Sequence, residues 1–324
     1  MKKISKILIL CLILVLAVSC GKSKNNQKIK IVLDWVPNTN HTGLYVAKDL
    51  GYFKEAGLDV EIVQPPEGST TALIGAGGAE FGISFQDTLA KSFANENPVP
   101  VTAVAAILQH NTSGIISLKE KGIDSPKKLE GKKYATWEDN IEQAILKKLV
   151  TDGKGDFSKV KLIPYTITDV VTGLKTDVDA VWVYYAWDGI ATERAGLQTN
   201  FLKIRDYGKE LDYYSPVIIA NNDFLKKNPE IAKKVLKAIK KGYEYAMKNP
   251  EESAKILVKN SPELDINLVT ASQKWISKEY QSDAKEWGII DGNRWNRFYE
   301  WLYKNKAVER EIPKDFGYSN EYLK

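Results

Sequence analysis

The apolar and polar positions fall into alternating strand-like and helix-like stretches. Ile29-Lys30-Ile31-Val32-Leu33 alternates and then runs apolar, which predicts a buried strand. A helical stripe follows through Leu44, Tyr45, Ala47, Leu50 and Phe53, with Thr42 as expected cap and Gly57 as stop. Leu58–Val63 has strict period two, and Phe81–Phe85 and Val101–Leu108 read as further strands. Short helices are expected at Thr70–Ile74 and Asp87–Ala94.

The same alternation restarts at Gly114–Leu118. Strands are expected at Lys133–Trp137, Lys159–Pro164 and Ala180–Tyr184, separated by helices after Ser125-Pro126, at Ile141–Val150 and at Asp169–Leu174. One more strand, Ser215–Ala220, precedes a mainly helical tail. In that tail Ile231–Tyr245, Glu251–Lys259 and Asn267–Glu279 carry apolar stripes opposed by charged faces. Strands alternating with helices argue for an α/β architecture with largely parallel sheets. Two such units and two crossings, near Asn111–Gly114 and Tyr213–Pro216, predict two lobes: residues 29–113 with 216–324, and residues 114–215. A ligand is expected between them, at the carboxyl ends of the strands.

The N-terminus has a different pattern. Lys2 and Lys3 precede a 12-residue apolar run, Ile7–Val18, which is shorter than the ~18–20 residues that span a bilayer. A basic start, a short apolar middle and small residues at the end describe a secretory signal, residues 1–19. Ala17-Val18-Ser19-Cys20 resembles the bacterial lipobox, with alanine where leucine is usual. That resemblance implies Cys20 as a lipidated first residue, and residues 20–28 read as a polar tether. Stable anchoring then needs more than one acyl chain. The expected location is extracytoplasmic, on the bacterial cell membrane.

Composition narrows the chemistry. The 324 residues are 44% apolar and 27% charged, ordinary globular values that argue against disorder. Removing Lys2, Lys3 and Lys6 with the signal lowers Lys+Arg from 46 to 43 against 41 acids, leaving +2. So weak an excess predicts no nucleic-acid partner and no strong overall field towards an anionic membrane. The only cysteines are Cys11 and Cys20, so the body holds no disulfide, thiolate metal site or thiol nucleophile. With His41 and His110 the sole histidines, neither a metal nor a cofactor is expected. The Gly75-Ala76-Gly77-Gly78 run lacks the following Lys-Ser/Thr of a phosphate loop.

Several segments resemble the NMT1/THI5-like family. They include Leu33-Asp34-Trp35-Val36-Pro37-Asn38, His41–Ala47, Gly51–Leu58, Phe81–Ser84, Gln109–Gly114, Ser125–Lys132, Tyr184–Ile190, Arg205–Tyr207 and Tyr213–Asn221, in order across residues 30–225. The resemblance implies a periplasmic-binding-protein-like (type II) fold with a helical C-terminal part. It further implies a monomeric solute-binding lipoprotein that delivers a thiamine pyrimidine precursor to an ABC permease and its ATPase. Gly51–Leu58 is shared with sulfonate importers, which keeps a sulfonate or another small nutrient as the alternative. The family's eukaryotic members synthesise the pyrimidine and carry a cysteine-rich motif, which is absent here after Cys20.

An aminopyrimidine is flat and presents an amine beside a ring nitrogen. Aromatic faces grip such rings, and a carboxylate accepts from the amine. Trp35, Asn38 and His41 leave the first strand, and Tyr184, Trp187, Asp188 and Glu193 lie at or past the end of another. The resemblance favours Glu193 as the pairing carboxylate, with Asp188 its rival and Trp35 and Tyr184 as stacking partners. Ser84 and Gln86 follow a strand, Trp137 ends one, and Asn111 either bonds ligand or turns the chain. One of Tyr213 and Tyr214 is expected to face the pocket. Trp182 is expected in the core, as are Trp275, Trp287, Trp295 and Trp301.

Overall fold

The strand-like stretches pair into two five-stranded sheets with the same internal order. The computed structural model describes residues 26–65, 68–165 and 167–324. The expected signal, Cys20 and the tether through residue 25 lie outside the described residues. In chain order the strands are β1 (Gln27–Val32), β2 (Leu58–Val63), β3 (Phe81–Ser84), β4 (Val101–Ala106), β5 (Ser113–Leu118), β6 (Lys133–Thr136), β7 (Lys161–Pro164), β8 (Ala180–Tyr184), β9 (Thr199–Lys203) and β10 (Val217–Asn221). One sheet runs β2-β1-β3-β10-β4 and the other β7-β6-β8-β5-β9.

In each sheet four strands run one way and one runs against them: β10 in the first, β5 in the second. The reversed strand is the first one formed after each crossing. Chain arriving from the other sheet enters at the end where its neighbours finish, so it must run back between them. Strand period alone carries no sign of that reversal. β9 was not expected either: Thr199-Asn200-Phe201-Leu202-Lys203 is an edge strand with only Leu202 buried, so it lacks the alternating pattern.

These are two α/β lobes of the type II periplasmic-binding-protein kind, with a cleft between them and a helical C-terminal part. The tail braces the first sheet. Helix Pro229–Lys248 crosses helix Thr42–Asp49 so closely that a Cβ on Gly43 would lie 2.4 Å from the Tyr243 ring, and one on Gly242 2.0 Å from the Gly43 carbonyl oxygen. Only glycine permits that approach. Tyr243 then donates to the Asn40 carbonyl at 2.6 Å and Tyr280 to that of Thr39 at 2.5 Å. Both bonds grip the loop that leaves β1. Trp287 and Trp295 are fully buried, while Trp275 and Trp301 pack against the core from its margin.

The expected Thr42 cap is not used. Asn38 caps instead, its side chain accepting from Asn40 N at 2.9 Å, because a short 3-10 turn (Thr39–His41) precedes the helix.

Candidate functional site

Loops from the carboxyl ends of β1, β3, β6 and β8 converge on one cavity of about 530 Å³ between the two sheets. The first sheet contributes Asp34, Trp35 and Asn38 after β1, then Phe85, Asp87, Thr88 and Lys91 after β3. From the second come Trp137, Asp139 and Glu142 after β6, and Trp182, Tyr184, Trp187 and Asp188 along and after β8.

Aromatic rings set its shape. Phe85 and Tyr184 stack across the sheets at 5.7 Å with 23° between planes, and Trp137 lies 5.7 Å from Trp182. Trp35 and Trp137 are 57% and 45% exposed, unusual for so large an apolar side chain and available to a ligand. The Trp182 Nε1–H is buried without a partner among the described residues.

The charge of the lining is negative. Five carboxylates (Asp34, Asp87, Asp139, Glu142, Asp188) face one ammonium, Lys91, and no arginine lines the cavity among the described residues. Burial pushes the Asp188 carboxyl up to about 6, and the nearby Asp169 adds to the shift. Burial also raises Asp87, although Thr88 N donates to it at 2.8 Å, and it raises Tyr184, helped by the Asp87 charge. Lys91, from the first lobe, pairs with Asp139, which caps helix Asn140–Asp152 of the second.

Glu142 faces the lining but is 3% exposed. It accepts from the Tyr134 hydroxyl at 2.9 Å, the Thr136 hydroxyl at 2.8 Å and Trp137 N at 3.0 Å. Those three bonds hold the turn that presents Trp137. Burial raises the Glu142 carboxyl against the pull of those donors.

Six of the expected residues meet at the cavity: Trp35, Asn38, Trp137, Tyr184, Trp187 and Asp188. Seven do not, and each has a physical reason. Glu193 binds the Tyr185 hydroxyl on another face. A wide π-type turn at Tyr185–Gly189 leads into helix Ile190–Arg194, and five helical residues rotate a side chain about 140° away from Asp188. His41 turns inward, wholly buried, with Nε2 2.7 Å from Asp34 Oδ1. Its Nδ1 accepts from Asn38 N at 3.2 Å, so in the neutral ring Nε2 carries the proton and donates to Asp34. His41 therefore orients the loop rather than lining it.

Ser84 is buried against the Thr71 hydroxyl at 2.9 Å. Gln86 is spent on the backbone, donating to the Trp295 carbonyl and accepting from Tyr214 N, each at 2.9 Å. Asn111 ties the two crossings together by donating to the Leu211 carbonyl at 3.0 Å. Neither tyrosine faces the pocket: Tyr213 stacks on Phe298 at 4.0 Å, and Tyr214 accepts from Asp291 N at 2.8 Å. Tyr213 touches the site only from behind, 3.3 Å from Asp87 Oδ2.

Trp182 is in the core as expected, 4% exposed, and borders the cavity as well. Sequence reasoning missed Phe85, Asp87, Thr88, Lys91, Asp139 and Glu142. A signal existed. Asp87 and Asp139 stand where a strand hands over to a helix, the same position that drew attention to Trp35.

A cleft between two α/β lobes, lined by rings and carboxylates, defines a solute-binding architecture. Residues 38–253 match the family described as NMT1/THI5 like, and the chain belongs to that family. It is 26% identical to the formylaminopyrimidine-binding protein of Halalkalibacterium halodurans, over 97% of this chain and 98% of that one. It is 29% identical to the 4-amino-5-hydroxymethyl-2-methylpyrimidine phosphate synthase THI11 of Saccharomyces cerevisiae, over 92% of this chain and 88% of the relative. Among solved structures, the periplasmic aliphatic sulphonate binding protein SsuA of Escherichia coli superposes with a TM-score of 0.68 at 15% identity, covering 88% of this chain and 90% of that one. At that identity the likeness speaks for the fold alone.

Proposed function

We propose that the chain is the extracytoplasmic solute-binding component of an ABC importer and captures an aminopyrimidine precursor of thiamine between its lobes. One observation carries this reading: the cavity joins exposed tryptophans to five carboxylates and offers a single lysine. Flat rings stack on the indoles, and the carboxylates accept from an exocyclic amine or a protonated ring nitrogen. A sulfonate in the same place would meet like charge at close range. Asp188 replaces Glu193 as the pairing carboxylate, because it alone of the two reaches the cavity.

Closure of residues 114–215 against 29–113 with 216–324 would bury the ring and shape a joint surface for the permease. Cys20 would carry the lipid that keeps the protein at the membrane. The synthases in the family make a second reading; the family resemblance implies a cysteine-rich motif in its eukaryotic synthases, and the lack of any cysteine beyond Cys20 favours binding over synthesis of that kind.

Thermal unfolding with a panel of ligands tests the proposal. A formylated or hydroxymethyl aminopyrimidine at 100 times its dissociation constant is expected to add about 2.7 kcal/mol of stability. Stabilisation by alkanesulfonates and not by aminopyrimidines would overturn it. So would steady formation of a pyrimidine phosphate by the purified chain.

A further inference from the structure

One helix of the tail carries a local excess of positive charge. Pro229–Lys248 holds six lysines against two glutamates, four net charges in a chain whose expected mature excess is only +2. Lys234, Lys237 and Lys241 are exposed, and their spacing of three and four puts them on one face. Lys241 lies 5.3 Å over the Tyr52 ring and 3.6 Å from Glu55. Among the described residues Lys234 and Lys237 have no carboxylate partner. Together with Tyr52, Glu55 and Gly57 the three lysines line a groove of about 700 Å³, three cations to one carboxylate and roomy enough for a phosphate-bearing headgroup.

The N-terminal tether leaves the fold beside this groove. Gln27 N donates to the Gly57 carbonyl at 3.1 Å, and Gly57 is part of the groove wall. Cys20 lies seven positions before Gln27, a reach of at most about 25 Å. A lipid on Cys20 would therefore hold the lysine face near the bilayer surface.

We propose that the Lys234–Lys237–Lys241 face docks on anionic lipid headgroups at the foot of the tether. The inference rests on the lipid anchor proposed above. Asp34, at the cavity, lies seven residues beyond Gln27, past the opposite end of β1 and roughly 20 Å away at ~3.3 Å per residue. A molecule docked this way keeps its cleft turned from the lipid, open to incoming solute, and must lift to meet a permease.

Energy transfer on vesicles tests it. The lipidated full chain, with a donor dye on Asp59→Cys, is mixed with acceptor-bearing vesicles of phosphatidylglycerol or of phosphatidylcholine. Transfer should be high on the anionic vesicles, low on the neutral ones, and lost in about 1 M salt, where the Debye length is about 3 Å. The triple variant Lys234→Gln, Lys237→Gln, Lys241→Gln should lower the docked-to-lifted ratio on the order of 100-fold, at roughly fivefold per lysine.

Transfer that ignores lipid charge, from protein that still sediments with both vesicles, overturns the docking. Failure to sediment with neutral vesicles overturns the anchor instead, and charge-dependent sedimentation alone then decides the lysine face. Binding of an acidic peptide that the triple variant loses, with no dependence on lipid charge, would reassign the face to a protein partner and reject the lipid proposal.

Discussion

The two lobes build their halves of the cavity from corresponding loops but brace them differently. After β1 the first lobe exposes Trp35, and after β6, which holds the same place in the other sheet, the second exposes Trp137. The Trp35 loop is held from a distance. Its backbone is gripped by Tyr243 and Tyr280 of the helical tail, and its Asp34 by His41. The Trp137 turn is held from within, by the one carboxylate of Glu142. One tryptophan thus depends on long-range packing and the other on a single buried acid.

The largest effect should come from removing that acid. Glu142→Ala strands the Tyr134 and Thr136 hydroxyls and Trp137 N, and unsatisfied buried donors cost about 1–3 kcal/mol each. Equilibrium urea unfolding is expected to show a loss of about 3 kcal/mol. An unchanged midpoint would mean that water replaces the carboxylate without cost, and the contrast between the lobes would fail.

Trp35→Ala and Trp137→Ala sharpen the comparison from the ligand's side. Each indole is about half buried, Trp137 against Trp182, so truncation should also lower folding stability by about 1–3 kcal/mol, which unfolding without ligand measures separately. Each indole should contribute about 2 kcal/mol to binding an aminopyrimidine, a roughly thirtyfold change in dissociation constant by calorimetry. A loss for only one variant would show that only one lobe stacks on the ring.

Protonation of Asp188 gives the next effect. Its native carboxyl titrates near 6, above the usual 3.8, so the folded state holds its proton longer than the unfolded chain does. This group's contribution to stability is then greatest below pH 3.8 and declines as pH rises towards 6. Ligand binding should follow the opposite sign, weakening up to about tenfold per pH unit below 6 as the acceptor is lost. Asp188→Asn should abolish that step. A step that persists in the variant assigns it to another acid.

The smallest effect is expected at the rim. Lys91 and Asp139 join the lobes across the cleft, but the lysine is 53% exposed. Exposed pairs contribute about 0–1 kcal/mol, so Lys91→Met should weaken binding by no more than about fivefold, with most of the change in the ligand's release rate. A loss beyond about thirtyfold would make Lys91 a ligand contact.

Much of this molecule was legible in its one-dimensional pattern. Strand period, helical stripes and two restarts of the alternation are local properties, set by which side chains can be buried together, and they gave two α/β lobes and a cleft at strand ends. Trp35, Tyr184 and Asp188 were placed at that cleft the same way, and they line the cavity, because the end of a strand marks where a side chain escapes the sheet. What the pattern could not carry is direction in space. Whether β5 and β10 run with or against their neighbours depends on where the chain re-enters each sheet. Whether Glu193 or Asp188 sees the cavity depends on a π-type turn that rotates one carboxylate away. Asp87 and Glu142 became part of the site only when a second element folded over them, since burial and hydrogen-bond partners are properties of contacts between distant segments.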